Sequence, residues 1–210
     1  MTAEEIRQEF EKAKAIITGS HFVYTSGKHG SNYVNKDALY PHVQLIDRLC
    51  HEMAAPFCIL EHRVEAVIGP AIGGVILSQR VADHLSKLQG NEVLSLFAEK
   101  VGEDFVIKRG QEKLIAGKYT LVVEDVLTTG ESAKSVIKAV RRALGSVVGL
   151  SVLCNRGGVT REELEFLRLK SLIDASMETY EETECPLCRD RVPINTDLGH
   201  GRAFLARTRK

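Results

Sequence analysis

Tryptophan is absent from this 210-residue chain, and its 28 Lys and Arg are matched by 28 Asp and Glu, leaving no formal net charge. A balanced charge supplies no global field to draw in nucleic acid or an anionic membrane, so neither is an expected partner. No apolar run approaches the ~18 residues of a membrane span. Met1 to Phe10 carries three Glu and one Arg where a secretory signal would have a basic stretch and then an apolar one, so no signal is read there. Cysteines number five, an odd count spread over the chain, which argues against a disulfide scaffold and for a reducing compartment, the cytoplasm by default. Several phosphate and hydrolase signatures are missing too. A Walker loop needs Gly, four residues, then Gly-Lys-Ser/Thr, but Gly117-Lys118 is followed by Tyr119 and preceded five residues back by Glu112. Neither Gly-x-Gly-x-x-Gly nor Gly-x-Ser-x-Gly occurs.

What is present is a 44% hydrophobic chain long enough to bury one good core, read as a single domain with small additions. Ile6, Phe10, Ala13 and Ile17 recur at helical spacing and predict an amphipathic helix over Ala3 to Ile17. Phe22 to Thr25 and Asn32 to Val34 flank Ser26-Gly27-Lys28-His29-Gly30 and predict a hairpin. Further helices are expected at His42 to Leu60, Val75 to Leu88, Ser132 to Leu144 and Arg161 to Leu169. Strands are expected at Val64 to Ile68, Val93 to Ala98, Phe105 to Ile107, Leu121 to Glu124, Val147 to Leu153 and Ser171 to Ala175. Strand-turn-helix units with apolar, β-branched strands imply a mostly parallel sheet covered on both faces. The basic ending Gly201 to Lys210 is expected to be disordered.

In such folds ligands bind at the carboxyl ends of the strands. Three turns follow strands and should share that edge: Gly69 to Gly74, Glu124 to Ser132 and Asn155 to Gly158. The middle one is the most telling. Leu121-Val122-Val123 leads into Glu124-Asp125, then Val126-Leu127-Thr128-Thr129-Gly130-Glu131-Ser132, then a helix. Such a turn aims unpaired N–H groups and the positive end of a helix dipole at one point, where a phosphate is stabilised. Two carboxylates beside it can reach hydroxyls or a cation, so the ligand expected is a phosphorylated sugar. Glu131 must then turn its side chain outward while its N–H faces in.

This run resembles the phosphoribosyl pyrophosphate (PRPP) signature of type I phosphoribosyltransferases. Ser26-Gly27-Lys28-His29 with Tyr33-Val34-Asn35-Lys36, Gly69-Pro70-Ala71-Ile72-Gly73-Gly74, Phe97-Ala98-Glu99-Lys100, Cys154-Asn155-Arg156-Gly157 and Cys185-Pro186-Leu187-Cys188 are similar to segments of the orotate phosphoribosyltransferases. The resemblance runs from about Ser26 to Pro193. It implies an α/β type I phosphoribosyltransferase fold: a central, mostly parallel sheet flanked by helices, with a helix and hood at 1–40, a PRPP-binding core at 60–175 and a tail at 185–210. It implies that Glu124 and Asp125 face the ribose hydroxyls, with Asp125 near the Mg²⁺ that PRPP carries and no metal bound directly by protein. Val126, Leu127, Thr128, Thr129, Gly130, Glu131 and Ser132 would hold the 5′-phosphate, and Ala71, Ile72, Gly73 and Gly74 the pyrophosphate.

Arg156 would hold the orotate carboxylate, suited by its planar fork, with Thr128, Tyr33 and Val34 at the pyrimidine. Lys100, catalytic with Asp125, would meet the pyrophosphate in the neighbouring subunit of a homodimer that shares its loops, with Lys108 and Arg109 as further cations. Closure of Glu99 to Gln111 would exclude water. The implied reaction joins orotate and PRPP into orotidine 5′-monophosphate and pyrophosphate, in UMP biosynthesis. A transferase for another base would keep the PRPP run without needing Arg156, and a PRPP-sensing regulator would keep it without catalysis. Family members often have a His on the catalytic loop, absent here between Glu99 and Tyr119, and some have Lys where this chain has Ile72. A Cys-x-x-Cys such as Cys185 and Cys188 can be half of a four-ligand zinc set, but the other half is missing unless Cys154, His200 or a second subunit supplies it; a reduced turn around Pro186 is the plainer reading.

Overall fold

The structure, a computed structural model, describes every residue except Phe166, Ser176, Arg209 and Lys210. Two compact units emerge: Val43–Ala175 with Met1, and Thr2–His42 together with Ser176–Lys210. The segments expected as hood and tail thus build one unit from the two ends of the chain.

That end-built unit begins with α1 (Ala3–Lys12), started by a capping box in which Thr2 Oγ1 accepts the Glu5 N–H at 3.2 Å and Glu5 accepts the Thr2 N–H at 2.7 Å. Ile6 and Phe10 are its buried face. The helix expected to reach Ile17 stops early. Lys14 turns left-handed at φ 55°, and the β-branched pair Ile16–Ile17 becomes strand β1. The expected hairpin is also shorter. Gly27, at φ 83°, closes a tight turn, so β2 (Phe22–Val23) pairs with β3 (His29–Gly30). Tyr33–Val34, β4, pairs instead with β1, Ile16 opposite Val34.

The core unit opens with α2 (Val43–Ala54), which gives way at Pro56 to a single 3₁₀ turn, Ala55–Phe57. Then follow β5 (Ala66–Pro70), α3 (Gly73–Gln89), β6 (Leu94–Val101), β7 (Asp104–Val106) and the short α4 (Gln111–Ile115). The remainder is β8 (Tyr119–Leu127), α5 (Glu131–Arg142), β9 (Ser146–Asn155) and β10 (Leu169–Asp174). Six strands line up as β10-β9-β8-β5-β6-β7, parallel throughout except for β7, which turns back antiparallel on β6. All five residues of β5 and most of β8 are buried, as strands covered on both faces must be. From α5, Val136, Ile137 and Val140 pack into the cluster of Ile68, Val122, Leu150 and Val152, each contributing about 1.5–3 kcal/mol by leaving water. That packing fixes the start of α5 against the end of β8.

One expected helix does not form. Arg161 to Leu169 holds only a 3₁₀ turn, Glu162–Leu164, because Glu165 goes left-handed at φ 56° and Leu169 already pairs with Leu150 in the sheet. Phe166, inside that stretch, lies outside the described residues. Conversely, the ending expected to be disordered contains α7 (Gly201–Thr208), which follows the one-turn α6 (Pro186–Arg189) in the end-built unit. The His200 N–H donates to Val23 O at 2.8 Å, anchoring the start of α7 to β2.

Candidate functional site

Because β9, β8 and β5 are adjacent and parallel, the turns that follow them open at one edge of the sheet. Asn155–Gly158, Thr128–Gly130 and Ala71–Ile72 therefore lie side by side, as strand polarity alone predicts.

The acid pair sits deeper than the sequence pattern placed it. Strand β8 runs on through Glu124 and Asp125 to Leu127, so both carboxylates belong to the strand itself, and each residue is only 6% exposed. Burying two adjacent carboxylates is costly unless polar partners meet them. Part of that need is met locally: Asp125 Oδ1 accepts the Val126 N–H at 2.7 Å, and Glu124 Oε1 the Asp125 N–H at 3.2 Å. Beyond Leu127 the chain bends through Thr128 and Thr129, and Gly130 takes φ 76°, where a side chain would be strained. Helix α5 then starts at Glu131, and its leading N–H groups have no intrahelical carbonyl. A hollow of ≈ 110 Å³ is lined by Glu124 and by the run Val126 to Ala133. Glu131 keeps its side chain 75% exposed and paired with Lys134 at 3.2 Å, the outward geometry an anion in this turn requires.

At the end of β9, Arg156 Nη2 donates to Thr128 Oγ1 at 2.8 Å, tying the third turn to the second. The N–H groups of Arg156 and Gly157 both donate to Leu127 O, at 2.8 and 3.0 Å. Position 157 must be glycine, since a Cβ there would stand 1.6 Å from Thr128 O. Asn155, unnoticed in the sequence beyond its turn-forming type, shapes the loop: its Oδ1 accepts the Val159 N–H at 3.0 Å while its Nδ2 donates to Val159 O at 2.9 Å. Cys154 is sealed inside the strand, and burial pushes its thiol up to about 12.

The first turn is closed by mutual contact of Gly69 and Gly74; a Cβ on either would meet the other's backbone at 2.6 to 2.8 Å. The Ala71–Ile72 peptide is cis, and the Ala71 N–H donates to Ala98 O at 2.8 Å. Ile72 is 84% exposed.

The Glu99 to Gln111 segment is more ordered than a plain loop. Strands β6 and β7 form a hairpin with Lys100 opposite Phe105 and Gly102-Glu103 at its tip. Glu99 holds Arg109 at 2.6 Å and Lys108 at 3.8 Å. The Arg109 hydrogen bond keeps the Glu99 carboxyl below its usual range and the guanidinium above its own. Among the described residues no ion pair reaches Lys100, which stands exposed on the arm. Gln111 Oε1 accepts the Phe97 N–H at 3.1 Å and pins the far end of the segment, a contact only the folded hairpin reveals. Tyr33 and Val34 belong to β4 of the end-built unit.

Comparison with known proteins places this geometry. Residues 42–181 match the family described as phosphoribosyl transferase domain. An orotate phosphoribosyltransferase of Caldanaerobacter subterraneus is 35% identical over 195 residues, covering 92% of this chain and 96% of that protein. One from Desulforamulus reducens is 39% identical over 193 residues, covering 92% and 95%. Among solved structures, the orotate phosphoribosyltransferase from Aeropyrum pernix superposes with a TM-score of 0.63 at 26% identity, covering 80% of this chain and 93% of that one.

Proposed function

This chain belongs to the orotate phosphoribosyltransferase family, and on that premise we propose that it moves the 5-phosphoribosyl group of PRPP onto orotate. The products are orotidine 5′-monophosphate and pyrophosphate, a step of UMP biosynthesis. The observation that carries this reading is the buried acid pair of β8 running directly into the Thr-Thr-Gly turn and the start of α5.

Each residue has a role set by its chemistry. N–H groups and hydroxyls from Val126 to Ser132 cradle the 5′-phosphate at the positive end of α5. Glu124 and Asp125 accept hydrogen bonds from the ribose hydroxyls and so hold C1′ fixed as the bond to pyrophosphate lengthens. The Ala71 to Gly74 turn, one strand away, presents backbone to the departing pyrophosphate. Arg156 forks onto the orotate carboxylate, and it already holds the Thr128 hydroxyl of the phosphate turn.

The fold family works with Mg²⁺, and the site fits it: carboxylate oxygens are hard donors of the kind Mg²⁺ takes alongside phosphates. Asp125 would face the ion that PRPP brings, and when bound that ion would supply positive charge to the leaving pyrophosphate. No protein nucleophile is required, because positioning and charge stabilisation suffice for a loose, cation-like transfer. Lys100, which no ion pair among the described residues reaches, meets the pyrophosphate, with Lys108 and Arg109 as a reserve held by Glu99. The chain works as a homodimer in which this arm serves the neighbouring site. Five free cysteines suit a reducing cytoplasm, and among the described residues no helix is long and apolar enough to cross a membrane.

A panel of bases assayed with PRPP and Mg²⁺ tests the reading. Consumption of orotate, with uracil and purines left untouched, is the expected outcome. Turnover of another base, or tight PRPP binding with no turnover at all, overturns it.

A further inference from the structure

Within the end-built unit, Cys185 and Cys188 meet two partners that no spacing in the sequence announces. His21 precedes β2 and His29 lies on β3, and the four ligating atoms of His21, His29, Cys185 and Cys188 all fall within 4.8 Å of one another. His21 Nε2 is 2.9 Å from His29 Nδ1 and 3.7 Å from each sulfur, and Cys188 Sγ is 3.3 Å from His29 Nδ1. A tetrahedral zinc with bonds of about 2.0–2.1 Å to nitrogen and 2.3 Å to sulfur has ligand-to-ligand edges of about 3.3–3.8 Å. Three of these four distances, 3.3, 3.7 and 3.7 Å, already match such edges, and the two imidazole nitrogens at 2.9 Å need to part by only about 0.4 Å. We propose that His21, His29, Cys185 and Cys188 form a structural zinc site that ties the two ends of the chain together within this unit.

The surroundings support a built site. His21 Nδ1 lies 2.9 Å from Val192 O, so its proton belongs there and the lone pair of Nε2 faces the cluster, as second-shell carbonyls arrange in zinc sites. His29 is pinned by backbone bonds in both directions with Tyr180, at 2.8 and 2.9 Å, which bring β3 to the segment carrying the cysteines. Among the described residues His29 Nε2 is buried with no hydrogen-bond partner. The side-chain polar contacts of this ring are made instead at Nδ1, which faces His21 Nε2 and Cys188 Sγ, the direction a ligand to a shared metal must face.

Cys185 and Cys188 bracket Pro186-Leu187 on one helical turn, with the Arg189 N–H donating to Cys185 O at 3.1 Å. Three of the four ligands are fully buried, and two thiols with two imidazoles select zinc over Mg²⁺ or Ca²⁺. A closed four-ligand set leaves no position for substrate, so its role is to hold the fold. The need is plain, since the strands of this unit are only two residues long and a small core gains most from a staple.

Tag-free protein from zinc-supplemented medium should contain about one zinc per chain by elemental analysis, and the Cys185→Ser/Cys188→Ser variant less than about a tenth of that. Cys154→Ser, a cysteine outside the cluster, should keep the full amount. Since the double variant can fail to fold, wild-type protein stripped by a chelator under reducing conditions gives the second readout. Its thermal unfolding should fall to lower temperature and recover on adding back zinc, and cobalt should produce thiolate-to-metal charge-transfer absorption. Stripped protein that stays folded yet takes up neither zinc nor cobalt overturns the proposal, as does a double variant that retains its zinc.

Discussion

Arg156 reaches across 28 residues of sequence to hold the Thr128 hydroxyl, so one guanidinium connects the turn after β9 to the turn after β8. A charged hydrogen bond of this kind contributes about 1.5–3 kcal/mol. Arg156→Leu should therefore raise KM for orotate by about 10- to 100-fold while leaving KM for PRPP within a few-fold. Steady-state kinetics with each substrate varied in turn check this, and an unchanged orotate KM removes Arg156 from acceptor binding. The roles proposed for Arg156 and the acid pair come from the family resemblance, while their placing at one edge of the sheet was legible in the sequence, because it follows from the polarity of the strands before them. Asn155 was not, since its function depends on the loop returning to Val159. His21 and His29 were invisible as partners of Cys185 for the same reason: they stand more than 150 residues away along the chain.

At the scale of elements, the sequence pattern read well wherever packing enforced it. The buried strands β5, β8 and β9 and the helices α3 and α5 lie where apolar periodicity put them, with ends shifted by a few residues. Short elements were misread where a single backbone conformation decided the outcome. Lys14 and Glu165, both left-handed, stopped a helix or prevented one, and neither residue type announces such a turn. Strands were expected at Val93 to Ala98 and Phe105 to Ile107, but not their pairing as the β6–β7 hairpin, which extends both to a compact two-residue reversal at Gly102-Glu103. Its order has a functional consequence. Lys100 rides on paired strands and arrives as part of an arm, while Glu99 restrains the two other cations. Lys100→Ala should lower kcat by about 10²-fold or more with little change in PRPP affinity, because its contact grows as charge develops on the leaving group. Titration calorimetry alongside kinetics separates the two quantities, and an unchanged kcat excludes Lys100 from the chemistry.

The whole molecule divides its labour between a core unit cut from the middle of the chain and a unit assembled from its ends. Parallel topology gives the core one edge where three glycine-bearing turns converge, and the middle turn follows directly on two buried carboxylates. That architecture was legible from alternating strands and helices. The joining of the two ends was not, because it rests on pairings between segments far apart in sequence, such as His29 with Tyr180. Seating of PRPP on the acid pair is tested most directly by the initial rate of orotidine 5′-monophosphate formation from PRPP, Mg²⁺ and orotate, with full-length wild type and Asp125→Asn measured side by side. The expected result is product from the wild type and a kcat/KM for PRPP lower by about 10²-fold or more in the variant, with thermal unfolding little changed. Equal rates from the two proteins, or no product from the wild type, would contradict it.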